Sequence, residues 1–128
     1  MKSLNAFLNP GGDGNVFYVV SPRFKDDNGP IEWELKPQTA KEAQVLGKKY
    51  VKNGELDEVA YTNALICRSV VYPNLNDSDL QKSYGVVGET DLLTTMLKPG
   101  EYANLRTKVL EINGLLNDIN SDIEEAKN

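Results

Sequence analysis

The hexapeptide Ile31-Glu32-Trp33-Glu34-Leu35-Lys36 alternates apolar and charged residues without a fault, a period of two that suits a strand with one buried face and one wet face. A second run, Val16-Phe17-Tyr18-Val19-Val20, is dense in β-branched and aromatic residues and reads as its partner. Between them stands Asp26-Asp27-Asn28-Gly29-Pro30, turn chemistry in which Gly29 is free to take positive φ. Residues 16–36 therefore predict a long β-hairpin with Ile31, Trp33 and Leu35 on one face. A lone hairpin is marginal in water, so that face has to pack on the rest of the chain.

The rest of the chain reads as helix. Thr39-Ala40-Lys41-Glu42 is a capping box, and the helix it opens is expected to run to Tyr50 or Val51 and stop at Asn53-Gly54. Asp57 is the next N-cap, with Val59, Asn63, Ile66, Cys67 and Val70 at helical spacing before Pro73. Shorter helices are expected from Asp79 to Tyr84 and from Glu89 to Leu97. After Pro99-Gly100, the residues Tyr102, Leu105, Val109, Ile112, Leu116, Ile119 and Ile123 step alternately by three and four, the spacing of a heptad seam. The seam keeps its phase across Gly114, which favours one continuous last helix, its half through Ile112 in the core and Leu116 to Ile123 open to core or partner. Upstream, Leu4, Phe7 and Leu8 at one-turn spacing precede the breakers Asn9-Pro10-Gly11-Gly12-Asp13-Gly14-Asn15. Residues 1–15 thus read as a flexible arm, and docking on its own domain is preferred to exchange with a neighbour. The expectation is one α+β domain over residues 1–128: an N-terminal β-hairpin followed by a mostly helical part of about five helices at 39–127.

The chemistry available is narrow. There is no histidine and a single cysteine, which excludes Ser-His-Asp and Cys-His catalysis and zinc sites built on His or several Cys. Cys67 lies on an apolar helical face and reads as a small buried hydrophobe. Gly11-Gly12-Asp13-Gly14 lacks the lysine and hydroxyl that end a phosphate loop. Fourteen basic against nineteen acidic residues leave a net charge of −5, which repels phosphate backbones and anionic headgroups. Neither nucleic acid nor membrane is expected as a partner, and no metal or cofactor is expected. With no apolar run of signal-peptide length, a cytoplasmic protein is expected.

Three stretches, Val71-Tyr72-Pro73-Asn74-Leu75, Leu80-Gln81-Lys82-Ser83-Tyr84-Gly85-Val86-Val87-Gly88 and Met96-Leu97-Lys98-Pro99-Gly100-Glu101-Tyr102, closely resemble the XkdN-like tail assembly chaperones of contractile-tailed phages and prophages. The likeness includes Ser21-Pro22-Arg23-Phe24 and the Trp33 strand, and continues through Lys108-Val109-Leu110-Glu111-Ile112-Asn113-Gly114 to the last residues. It implies a non-enzymatic protein of the host cytoplasm that binds the tape measure protein, helps tail tube protein assemble around it, and is absent from the mature virion; homo-oligomers are possible within this class. The alternative is a small structural protein, a tail completion or connector subunit, retained in the virion.

The proposed contact lies at the chain's end. Residues 115–128 hold Asp118, Asp122, Glu124 and Glu125 against Lys127 alone. Carboxylates at a helix C-terminus oppose the macrodipole, so local helix stability does not explain them. Leu116, Ile119 and Ile123 would supply apolar contact, and the four acids would speed encounter with basic client helices.

Overall fold

A computed structural model describes residues 3–12 and 14–116. The chain opens on a one-turn helix, α1 (Asn5–Leu8). Its Leu4, Phe7 and Leu8 are 71%, 81% and 63% exposed, so the expected docking of the arm on its own domain is not found. The physical reason is that ordering the glycine-rich hinge costs backbone entropy, which one turn carrying three apolar residues does little to offset.

The hairpin forms as expected. Strand β1 (Val16–Tyr18) is followed by a two-stranded ribbon at the tip, β2 (Lys25–Asp26) and β3 (Gly29–Pro30), and then by β4 (Trp33–Leu35). β1 and β4 run antiparallel with Val16 opposite Leu35, Phe17 opposite Glu34 and Tyr18 opposite Trp33.

Helix α2 (Ala40–Lys48) starts at the predicted box: the Glu42 amide donates to Thr39 Oγ1 at 3.1 Å and the Thr39 amide to Glu42 Oε1 at 3.0 Å. It ends earlier than expected. Residues beyond it form a tight hairpin of β5 (Val51–Lys52) and β6 (Glu55–Leu56). Asn53 and Gly54 take φ of 54° and 80°, the left-handed pair that a two-residue hairpin turn of matching twist requires.

Helix α3 (Glu58–Ser69) is capped by Asp57 but does not reach Pro73. Val70–Tyr72 instead forms β7, antiparallel to β4, giving a sheet of order β1-β4-β7. A Val-Val-Tyr run suits a pleated surface, and the unpaired edge of β4 supplies the ladder. Helices α4 (Ser78–Ser83), capped by Asp77, α5 (Glu89–Met96) and α6 (Pro99–Ile112) complete the fold. Five helices thus follow the hairpin among the described residues, and the α+β class holds.

One core joins sheet and helices. Trp33 and Leu35 share it with Leu65 and Ile66 of α3, Leu92 and Leu93 of α5, and Leu105 and Val109 of α6. The first half of the predicted seam is therefore core, with Ile112 packed at its edge.

The continuous last helix is corrected. Gly114 has φ 74°, the Gly114 amide donates to the Glu111 carbonyl at 3.0 Å and the Leu115 amide to the Leu110 carbonyl at 2.8 Å. This pair of bonds across a left-handed glycine is a Schellman termination, and Leu115 packs back against the core.

Trp33→Ala should destabilise the domain by about 3–5 kcal/mol in urea melts, as large core truncations do; a loss below about 1 kcal/mol would place the hairpin outside the core. Gly114→Ala forces a Cβ into the left-handed region and should cost about 1–2 kcal/mol, whereas a continuous helix would gain from the same change.

Candidate interaction surfaces

The structure brings together two of the stretches that carry the resemblance. Arg23, in the loop after β1, donates Nε to Glu101 Oε2 at 2.9 Å and Nη2 to Glu101 Oε1 at 2.7 Å. Nη2 also donates to the Met96 carbonyl at 3.0 Å, satisfying an orphan acceptor at the end of α5. The Lys98 amide donates to Glu101 Oε1 at 2.7 Å, and the guanidinium lies 4.8 Å from the Phe24 ring centre. One forked ion pair thereby locks the hairpin to the α5–α6 corner. The hydrogen bonds from Arg23, then the Ser21 hydroxyl and the Lys98 amide, hold the Glu101 carboxyl well below the ordinary carboxylate range.

Other residues of the family-like stretches prove to be fold-building ties. Asn113 accepts from the Gln38 amide at 2.7 Å and donates to Ser69 Oγ at 3.2 Å, pinning the end of α6 to the α3–β7 junction. Gln81 donates to the Leu75 carbonyl at 2.8 Å and accepts from the Gly88 amide at 3.1 Å. Sequence reasoning missed the Arg23 and Asn113 pairings because their partners stand 44 to 78 residues away.

Of the predicted contact residues only Leu116 is described, and it is half-buried. Asp118, Ile119, Asp122, Ile123, Glu124 and Glu125 lie outside the described residues. Cys67 is buried, and burial pushes its thiol up to about 11, which suits the structural reading of it. Among the described residues no group of three His, Cys, Asp or Glu side chains is placed to hold a metal, and no helix is long and apolar enough to cross a membrane.

Three exposed or apolar surfaces are prominent among the described residues. The first is the exposed apolar arm. The second is the outer face of the sheet, where Phe17, Val71 and Tyr72 are exposed. The third is a cleft of about 350 Å³ between α2 and α3, floored by Val45, Leu46 and Leu65 and bordered by Lys41, Lys49, Arg68 and Glu42.

The described residues form a small α+β domain with one closed core and several exposed apolar residues. The chain belongs to the phage XkdN-like tail assembly chaperone family, whose model matches residues 4–127. It is 33% identical over 120 residues to the phage-like element PBSX protein XkdN of Bacillus subtilis (strain 168), covering 85% of this chain and 81% of that protein. Protein YqbN of the same strain is 33% identical over 94 residues, 73% of this chain and 61% of YqbN. A crystal structure of YqbN superimposes with a TM-score of 0.75 at 27% identity, covering 89% of this chain and 98% of that one. Tail assembly chaperoning is a non-catalytic role.

The Glu101 corner gives a pH signature. Because its folded carboxyl is depressed, the stability it contributes is present above the ordinary value of 4.5 and is lost as pH falls below it. Acid-range melts of Glu101→Gln should show a shallower loss of stability than the parent; equal slopes would mean the ion pair does not couple to folding.

Proposed function

We propose that the protein is a non-enzymatic tail assembly chaperone that binds the tape measure protein and assists assembly of tail tube protein around it. It acts in the host cytoplasm and leaves before the virion matures. The observation that carries this reading is family membership across residues 4–127. It is supported by large hydrophobics held at the surface, Phe7 at 81% and Tyr72 at 55% exposure among them, beyond the isolated apolar residue that any surface shows.

The C-terminal segment is the proposed site of client capture, through Leu116, Ile119 and Ile123 with Asp118, Asp122, Glu124 and Glu125. The termination at Gly114 supports this reading, because the helix that carries the buried half of the seam ends at Ile112.

Co-expression with a phage tape measure protein, followed by pull-down, should recover a complex. Ile119→Asp should abolish recovery while the thermal melt stays unchanged; normal recovery would move the client surface elsewhere, and unfolding would return Ile119 to the core. Mass spectrometry of purified particles should find the protein absent, whereas stoichiometric retention would make it a tail completion or connector subunit.

A further inference from the structure

The outer face of the sheet has an organisation that the client reading does not use. Exposure alternates along Val16–Val20 and Ile31–Lys36, placing Phe17 and Val19 of the first strand, and Glu32, Glu34 and Lys36 of the central one, on the side away from the core. The third strand breaks this alternation. The β4–β7 register shifts between Glu34 and Leu35, with Leu35 opposite Val70 and Glu34 opposite Tyr72. Val71 is thus an extra residue, and Val71 and Tyr72 are 44% and 55% exposed while Val70 is 9% exposed. A bulge of this kind turns two consecutive residues toward one side. The face therefore carries an apolar rim on each edge, Phe17 with Val19 and Val71 with Tyr72, and a charged strip between them.

Glu34 is the centre of that strip. Phe17 and Tyr72 are its two cross-strand neighbours, and Asn15 Nδ2 donates to its Oε2 at 2.6 Å, which orients the carboxylate. Among the described residues, no lysine or arginine makes an ion pair with it. Lys36 lies two residues along the chain on the same face, and makes no ion pair with Glu34.

Dimensions select the occupant. Three strands span about 10 Å across at the usual strand spacing, close to the diameter of one helix, about 10–12 Å. Two copies meeting through such a face would bury far less than the roughly 800 Å² per partner that a stable dimer needs, and would bring Glu34 toward its own copy. A cation between two aromatic rings and a carboxylate gains from all three.

We propose that this face docks one amphipathic helix of a partner protein, with apolar residues on the two rims and a lysine or arginine in its apolar stripe paired to Glu34 between Phe17 and Tyr72. Such docking rests on the chaperone reading only for the partner's identity, the tape measure protein.

The test uses the full chain, labelled with ¹⁵N, and two synthetic helical peptides that differ only in one central residue of a leucine stripe, Arg in one and Glu in the other. The Arg peptide should bind about tenfold tighter, the effect of roughly 1.4 kcal/mol, with amide shifts at Phe17, Glu34, Val71 and Tyr72. Glu34→Gln should erase the preference and Glu34→Lys reverse it; should Glu34→Lys fail to fold, Glu34→Gln decides. Tyr72→Ser should lose both peptides with its melt retained. Equal affinity for the two peptides, or shifts confined to other surfaces, overturns the proposal. A dimer that Tyr72→Ser dissolves would assign the face to a second copy, and shifts at Leu4, Phe7 and Leu8 in Tyr72→Ser would assign it to the arm; either overturns it too. Arg preference without tape measure recovery would sink the chaperone reading and leave this surface standing.

Discussion

The fold depends on covering one side of a three-residue strand. Trp33 and Leu35 are 2% and 0% exposed, and β4 is the centre of the only sheet with more than two strands among the described residues. Strands this short hold few ladder bonds, so the sheet cannot persist without that apolar face being buried. Helices α3, α5 and α6 supply the cover, and each contributes at least one residue with no accessible surface. Phe24 leans on Trp33 with ring centres 5.9 Å apart, which draws the hairpin loop onto the same core. The contact is non-local by nature: it joins residues 16–35 to residues 58–112 in one core.

Hydrophobic burial of this kind is not directional, and the polar ties give it a unique arrangement. Arg23 and Glu101 form a fork that fits only one orientation of the loop against the α5–α6 corner. Asn113 uses both ends of its amide to hold α6 against the α3–β7 junction, and Gln81 does the same for the segment between α4 and α5. No buried side-chain nitrogen or oxygen among the described residues lacks a partner. Arg23, Gln81, Glu101 and Asn113 all lie in stretches that resemble the family, so part of that resemblance is carried by residues that build the architecture.

Signals local to the chain are legible in the sequence. The alternation of residues 31–36 marks β4 and its buried face, and Thr39 and Asp57 mark two helix starts, because a cap is decided within four residues. The chain's three Asn-Gly pairs, at residues 28–29, 53–54 and 113–114, each make a turn, yet only the first stands between two runs that look like strands. At 113–114 the heptad spacing continues across the glycine and argues for a longer helix. The decisive facts lie elsewhere in space: the Asn113 amide has partners on Gln38 and Ser69, and Leu115 has a place on the core. β7 is illegible for the same reason, since Val70 also fits the helical spacing of α3 and only the free edge of β4 makes it a strand. The candidate contact residues from Asp118 onward fall outside the described residues, so the sheet's outer face comes from register and exposure alone.

A protein that holds apolar surface ready for a partner must avoid sticking to itself, and the structure divides that surface accordingly. The arm carries its apolar residues on a single turn, beyond a run of glycines. The sheet face interrupts its two apolar rims with Glu32, Glu34 and Lys36. Its edges are three residues long, and the bulge at Val71 disturbs the ladder where a further strand would add, both of which discourage edge-to-edge pairing. The net charge of −5 adds a mutual repulsion between copies that a basic partner does not experience. Selectivity on such a surface comes from the charge in its middle rather than from the apolar rims, because any helix can offer leucines, whereas leaving Glu34 covered and unpaired would cost a neutral partner the desolvation of a carboxylate.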